Sequence, residues 1–202
     1  MTTTERTAAP GFIDRATFHQ LTVAQYHQMI ANGILGEDVP VELIEGYMVT
    51  KMPRSTEHDY SLSAVQEEVR ARVPAGYCLR GQCATTILNS EPEPDVVVAR
   101  GALSAYKNRH PGPADAALVI EVSASSLAYD RIDKSRVYAR AGIPVYWIVN
   151  VIDKQIEVLT DPSGPTDAPA YGTTTTYTAG QQVPLALDGN TVGHIAVSDV
   201  FG

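Results

Sequence analysis

Two apolar runs separated by one helix-length segment constrain this chain most. Ala116 to Val122 reads AALVIEV, and Pro144 to Val151 reads PVYWIVNV. Neither alternates apolar with polar residues; each is apolar on both faces, as in a strand covered by helices on both sides of its sheet. Between them, a helical pattern opening at Asp130 or Asp133 runs to Ala141, where Gly142 stops it. Strand, helix and strand in this order predict a crossover between parallel strands, right-handed by the general rule. The chain is therefore expected to be α/β, with parallel strands at the centre of its sheet covered by helices on both sides. Glu121 stands near the end of the first run, where a lone acid has little place unless something pairs with it.

The flanking sequence fills in this plan. Residues 1–18 lack apolar periodicity and are expected to form a flexible tail. Thr22 with Gln25 three residues on is a capping-box pattern, and Val23, Tyr26, Ile30 and Ile34 follow at helical spacing, predicting a helix over about 22 to 32. Val41 to Lys51 reads as strand with Gly46 marking either a turn, which would make a β-hairpin, or a bulge. Ser55 can cap a second helix through about Arg72, with Leu62, Val65, Val69 and Val73 as its buried stripe. Short strands are predicted at Tyr77 to Arg80, Ala84 to Leu88 and Asp95 to Arg100. Beyond Asp153, Gln155 to Thr160 and Thr173 to Thr178 alternate in polarity and predict an antiparallel C-terminal edge. Val183 to Phe201 reads as turns and brief strands. At 202 residues and 44% hydrophobic content the chain suffices for one sizeable core but not two ordinary domains, so residues 19–202 are read as a single domain.

Composition narrows function. No run approaches the roughly 18 to 20 apolar residues of a spanning helix, and the Thr-rich N-terminus has no apolar secretion segment, so a cytoplasmic protein without membrane contact is expected. Cys78 and Cys83 are read as reduced thiols, too few for a disulfide framework. A net charge of −8 argues against a general electrostatic grip on nucleic acid. Its distribution softens this: residues 51–140 carry twelve bases against eleven acids, while residues 151–202 carry one base against six acids. A phosphate substrate would bind the middle, through some of Arg70, Arg72, Arg80, Arg100, Lys107, Arg109, Arg131, Arg136 and Arg140; the alternative for any one of them is solvated surface charge. His19, His27, His110 and His194 show no zinc-type spacing, and neither a Gly-rich phosphate loop nor a Gly-x-Ser-x-Gly elbow is present. Tyr146 and Trp147 lie in so apolar a run that core packing explains them better than base stacking.

Three ionisable residues stand against apolar backgrounds. Asp95 opens the Val96-Val97-Val98 strand, Glu121 closes LVIEV, and Lys134 lies early on the following helix. Neighbouring strand ends can bring two carboxylates together, and two carboxylates with water and substrate phosphate suit Mg2+. A nearby lysine would stabilise charge developing on a phosphate or orient the attacking water. Each has a plainer alternative: a turn-forming Pro-Asp for Asp95, an acid bonded to a helix terminus or an arginine for Glu121, and for Lys134 an exposed i,i+4 ion pair with Asp130. Glu42 either approaches the same site or faces solvent from its strand. His58, on the first turn of the second helix, either contacts it or serves as a cap or surface residue.

The combination of Pro94-Asp95, Glu121-Val122-Ser123, Asp130, Lys134, Tyr138 and Gly142 to Trp147, with Glu42 to Gly46 and His58, resembles the Uma2 family, also called DUF820, over roughly residues 20 to 160. The resemblance implies a restriction-endonuclease-like core of the PD-(D/E)XK class, a mixed central β-sheet flanked by helices. It also implies a Mg2+- or Mn2+-dependent endonuclease acting on DNA, with Asp95 and Glu121 as metal ligands, the Val122 carbonyl as a third, and Lys134 completing the catalytic set. Such enzymes often act in pairs, so a homodimer is expected with it. The superfamily's usual lysine lies two residues after the second acid, on the same strand face. That position here is Ser123, so Lys134 must reach back from the next helix. Ser123 and the acidic net charge also leave open a noncatalytic nucleic-acid-binding or regulatory protein on the same fold. Hydrolysis of a small phosphoester is a further alternative.

Overall fold

The computed structural model describes residues 18–36 and 38–202. The tail expected over residues 1–18 lies outside the described residues except for Phe18. Thr22 caps α1 (Val23–Ala31) through the predicted capping box, its hydroxyl accepting from the Gln25 N–H while the Gln25 side chain accepts from the Thr22 N–H. A hairpin of β1 (Val41–Ile44) and β2 (Tyr47–Thr50) follows. Its two turn residues, Glu45 and Gly46, both have positive φ, the requirement of a tight two-residue hairpin turn. Ser55 accepts the His58 N–H at the start of α2 (Thr56–Arg70).

Six strands form the central sheet: β3 (Tyr77–Gly81), β4 (Val96–Arg100), β5 (Ala116–Ser123), β6 (Val145–Asn150), β7 (Gln155–Pro162) and β8 (Tyr171–Tyr177), side by side in that order. Every neighbouring pair is antiparallel except β5 and β6, which are parallel and joined by the helical segment between them. The sheet is thus mixed, with β7 and β8 as the expected antiparallel edge. All eight residues of β5 and all six of β6 are buried. A second hairpin, β9 (Gln182–Leu187) with β10 (Asn190–Ala196), runs into the short helix α5 (Val197–Phe201).

Period-two alternation divides the core between two faces. Val96, Val98, Ile120, Val122, Trp147 and Val149 pack with Leu62, Val65 and Val69 of α2, with the β9–β10 hairpin and with α5. Val97, Val119, Tyr146 and Ile148 face the other way, toward Ile44, Tyr106, Val137 and Tyr138. Tyr146 and Trp147 are fully buried, as core packing predicted. Glu121 and Asp95 fall on the second face, where the covering helix belongs to the β5–β6 crossover.

Three elements depart from expectation. Ala84 to Leu88 forms no strand: Thr85 and Thr86 donate their N–H groups to the carbonyls of Pro92 and Pro111, and Leu88 takes φ 49° and is 60% exposed. The crossover helix starts before both predicted acids, as α3 (Leu127–Tyr129), a π-helical turn (Asp130–Lys134) and α4 (Ser135–Ala141) in direct succession. Gly142 ends it in the left-handed conformation, as predicted. The C-terminus holds a helix, α5, where turns and brief strands were expected.

Candidate active site

Continuing the β4–β5 register one step beyond Val96↔Ile120 sets Asp95 opposite Glu121. The Val122 N–H donates to Asp95 Oδ2 at 2.9 Å, tying the strand entrance of β4 to the end of β5. Lys134, on the π turn, donates from Nζ to Glu121 Oε1 at 2.8 Å and lies 3.4 Å from Glu42 Oε1. The exposed ion pair between Lys134 and Asp130 is ruled out by burial, since Lys134 is 6% and Asp130 2% exposed. Tyr138, one turn farther along α4, donates to the same Glu121 oxygen at 2.7 Å.

The supporting residues converge on the same place. Glu42 points inward from β1: its Oε2 accepts the Glu93 N–H at 3.0 Å, and its Oε1 accepts the Tyr129 hydroxyl at 3.3 Å. His58 on α2 is buried, with Nε2 3.6 Å from Asp95 Oδ2. Asp130 accepts two hydroxyls on one oxygen, from Ser123 at 2.8 Å and Ser126 at 2.6 Å. Asp95, Glu121, Val122, Lys134, Glu42, His58 and Asp130 all line one pocket, joined by the Lys51 to Arg54 linker between β2 and α2. The cavity measures about 90 Å³, room for an ion with its waters and far below the roughly 300 to 1,000 Å³ of a drug-sized ligand site.

Charge and burial pull against each other here. Burial pushes the Glu121 carboxyl above the ordinary carboxylate range, with Asp130, Asp95 and Glu42 adding to the shift and Lys134 opposing it. Burial also works against the Lys134 ammonium, but Glu121, Glu42 and Asp130 outweigh it and hold the group charged well above neutrality. Burial likewise opposes ionisation of Asp95; His58, the Val122 N–H and Lys134 overcome it and keep this carboxyl below its ordinary value. For His58, burial disfavours the charged ring, yet Asp95 raises it above the usual histidine range.

Among the described residues no group of three or more His, Cys, Asp or Glu side chains stands in metal-ligating geometry. The donor chemistry nevertheless suits a hard dication: two carboxylates face each other across adjacent strands, beside a backbone segment. Among the described residues the hydrogen bonds to them fall on Asp95 Oδ2 and Glu121 Oε1, which leaves the second oxygen of each carboxylate without a donor.

The basic residues expected to meet phosphate behave differently. None of the nine lines the pocket. Arg72, Arg100, Arg109, Arg131, Arg136 and Arg140 are spent on Glu68, Asp188, Asp115, Glu157 and Glu45. The cations that do line it beside Lys134 are Lys51 and Arg54, which sequence reasoning missed, as it missed Tyr129, Glu93 and Ser126. Asp130, Lys134 and Tyr138 recur every four residues, a signal that could have marked Tyr138 as facing the same acid.

A family model described as "Putative restriction endonuclease", Uma2, matches residues 23–192. The fold is also that of a protein from Anabaena variabilis ATCC 29413 described as "a putative nuclease belonging to DUF820". The TM-score is 0.64 at 16% identity, over 90% of this chain and 97% of that one. No curated protein matches the chain. With 170 of its 202 residues inside the family model, this nuclease-like chain belongs to the Uma2 family.

Proposed function

We propose that this chain is a Mg2+- or Mn2+-dependent endonuclease hydrolysing DNA phosphodiester bonds, with Asp95, Glu121 and Lys134 as its catalytic set. The observation that supports it most is the Lys134–Glu121 contact inside a small polar pocket, with Asp95 opposite Glu121 on the adjoining strand. A buried ion pair gains little stability over packed apolar side chains. Three buried acids around one buried lysine are better accounted for by an incoming cation and phosphate than by folding. Asp95 and Glu121, with the Val122 carbonyl, would hold the cation, which when bound neutralises phosphoryl charge and acidifies water.

The chain's own residues do the rest. Lys134 Nζ, relieved of part of its hold on Glu121, donates to a non-bridging phosphate oxygen or to the attacking water, and Glu42 keeps the ammonium charged. Tyr138 fixes the Glu121 carboxylate in orientation, and His58 does the same for Asp95. Cutting both strands of a duplex takes two such sites, and a second copy of the chain would supply the other.

The test incubates the protein with plasmid and single-stranded DNA in Mg2+, Mn2+ or chelator, beside folded Asp95→Ala and Lys134→Met variants. Cleavage should require metal and vanish in both, while calorimetric metal binding is lost in Asp95→Ala and kept in Lys134→Met. Ser123 in the usual lysine position and the net charge of −8 favour a second reading, a noncatalytic nucleic-acid-binding or regulatory protein. Metal binding without cleavage of either DNA would support that reading over the first.

A further inference from the structure

The π turn Asp130–Lys134 has a dedicated set of fastenings. An i→i+5 turn holds one residue more than an α-helical turn, and such turns are frequent at functional sites. The extra residue rotates everything after it by roughly 100° relative to an uninterrupted helix, since 3.6 residues complete a turn. Here the Asp130 carbonyl accepts the Ser135 N–H that defines the wide turn, and also the Tyr146 hydroxyl from β6 at 3.2 Å. The Asp130 side chain, 2% exposed, is gripped on Oδ2 by Ser123 from β5 and by Ser126 from the loop that leaves it. Strand, loop and neighbouring strand therefore all hold the one residue that opens the turn, and Lys134 closes it.

Ser123 gives this arrangement its meaning. It follows Glu121 by two residues and so shares its face of β5, where a lysine in that position would lie beside the glutamate without help. Instead its fully buried hydroxyl fastens the turn whose last residue delivers Nζ to Glu121 from the helix side. We infer that Ser123 and Asp130 are positioning residues that set the π turn and thereby aim Lys134 Nζ at Glu121. Neither touches the reacting groups; both act through Lys134. The inference rests on the proposed function for its catalytic meaning, and on geometry alone for the aiming itself.

The bonds predict different behaviour for two replacements of one side chain. Both hydroxyls meet a single oxygen of Asp130, so Asp130→Asn can keep both through its amide oxygen, whereas Asp130→Ala loses both. Acetic anhydride labelling followed by peptide mass spectrometry reads the aim of Lys134 directly, with exposed Lys107 and Lys154 as internal controls. Lys134 should stay protected in the parent and in Asp130→Asn, and label at least about tenfold faster in folded Asp130→Ala as its contact with Glu121 loosens. Ser123→Ala carries the same comparison with a smaller rise, should Asp130→Ala not fold. Equal protection of Lys134 in every folded variant overturns the inference, whether or not the protein cuts DNA. Metal-dependent plasmid cleavage by the same variants forms the second arm. A rate that falls as Lys134 labelling rises supports the catalytic meaning of the turn. A parent that cuts nothing while labelling follows the expected order overturns the proposed function and leaves the aiming standing.

Discussion

Lys134 meets Glu121 at 2.8 Å and Glu42 at 3.4 Å in a place almost closed to water, so its replacement reports on both. Lys134→Met leaves Glu121 buried with no counter-charge, and breaking a buried pair in this way costs about 3 to 5 kcal/mol. The loss should depend on pH, because burial already holds the Glu121 carboxyl above its ordinary value, and removing Lys134 removes the opposing pull. A carboxyl raised in the folded state binds more protons there than in the unfolded chain, so stability falls as pH rises through that window. The gap between parent and variant should be small near pH 4, where Glu121 is neutral in both, and open only as pH rises above about 8, where the parent carboxyl ionises beside Lys134 and the variant's does not, so that it is large by about pH 10. Urea midpoints at the two pH values measure it, and an equal gap at both would show that the Glu121 charge does not carry the effect.

At the scale of elements, the β1–β2 hairpin places Glu42, and Gly46 makes the hairpin possible. Its φ is +81°, and a Cβ there would lie 2.7 Å from Gln20 Cβ and 3.1 Å from the Leu21 carbonyl oxygen. Gly46→Ala should therefore cost about 1 to 3 kcal/mol, since the backbone strain and the backbone contact act together. A thermal melt unchanged from the parent would mean that residues 20 and 21 move aside freely. This hairpin was legible from Gly46 between two strand-like runs, as were the Thr22–Gln25 cap and the β5–β6 pair, because each is a local pattern of turn chemistry or burial. Ala84 to Leu88 misled because its hydrogen bonds go to the distant carbonyls of Pro92 and Pro111, which no short-range pattern reports. The π turn was equally hidden. Asp130 looks like a helix start in sequence, but its side chain is bound by Ser123 and Ser126 inside a helix that began at Leu127. Glu121 and Asp95 stood out as acids in apolar runs; Lys51 and Arg54 did not, since they become part of the pocket through the path of the β2–α2 linker.

Across the whole molecule, charge sets how a polynucleotide can be held. Six arginines outside the pocket are neutralised by the chain's own carboxylates, and the net charge is −8, so the surface at large offers phosphate no broad attraction. Among the described residues the cations lining the pocket are Lys51, Arg54 and Lys134, with His58 beside them. Lys51 shares its charge with Glu93 at 2.5 Å, and Lys134 with Glu121. Duplex binding in Ca2+, where cleavage is suppressed, should then release the counterions of only about two or three phosphates. With a slope of about −0.9 per phosphate on B-DNA, log affinity against log salt should fall with a slope of about −2 to −3. Arg54→Ala should lower that slope by about one, while Arg109→Ala, in an ion pair with Asp115 away from the pocket, should leave it unchanged. Fluorescence anisotropy of a labelled duplex across a salt series measures all three. A slope steeper than about −6 would require a phosphate-binding surface that draws on basic residues outside the pocket, such as Arg70, Arg80 and Lys107, and would move the nucleic-acid face away from the pocket. A shallow slope carried by Arg54 would make the Lys51–Arg54 linker the edge along which the backbone enters, and would fit an enzyme that depends on its bound cation more than on its surface to attract substrate.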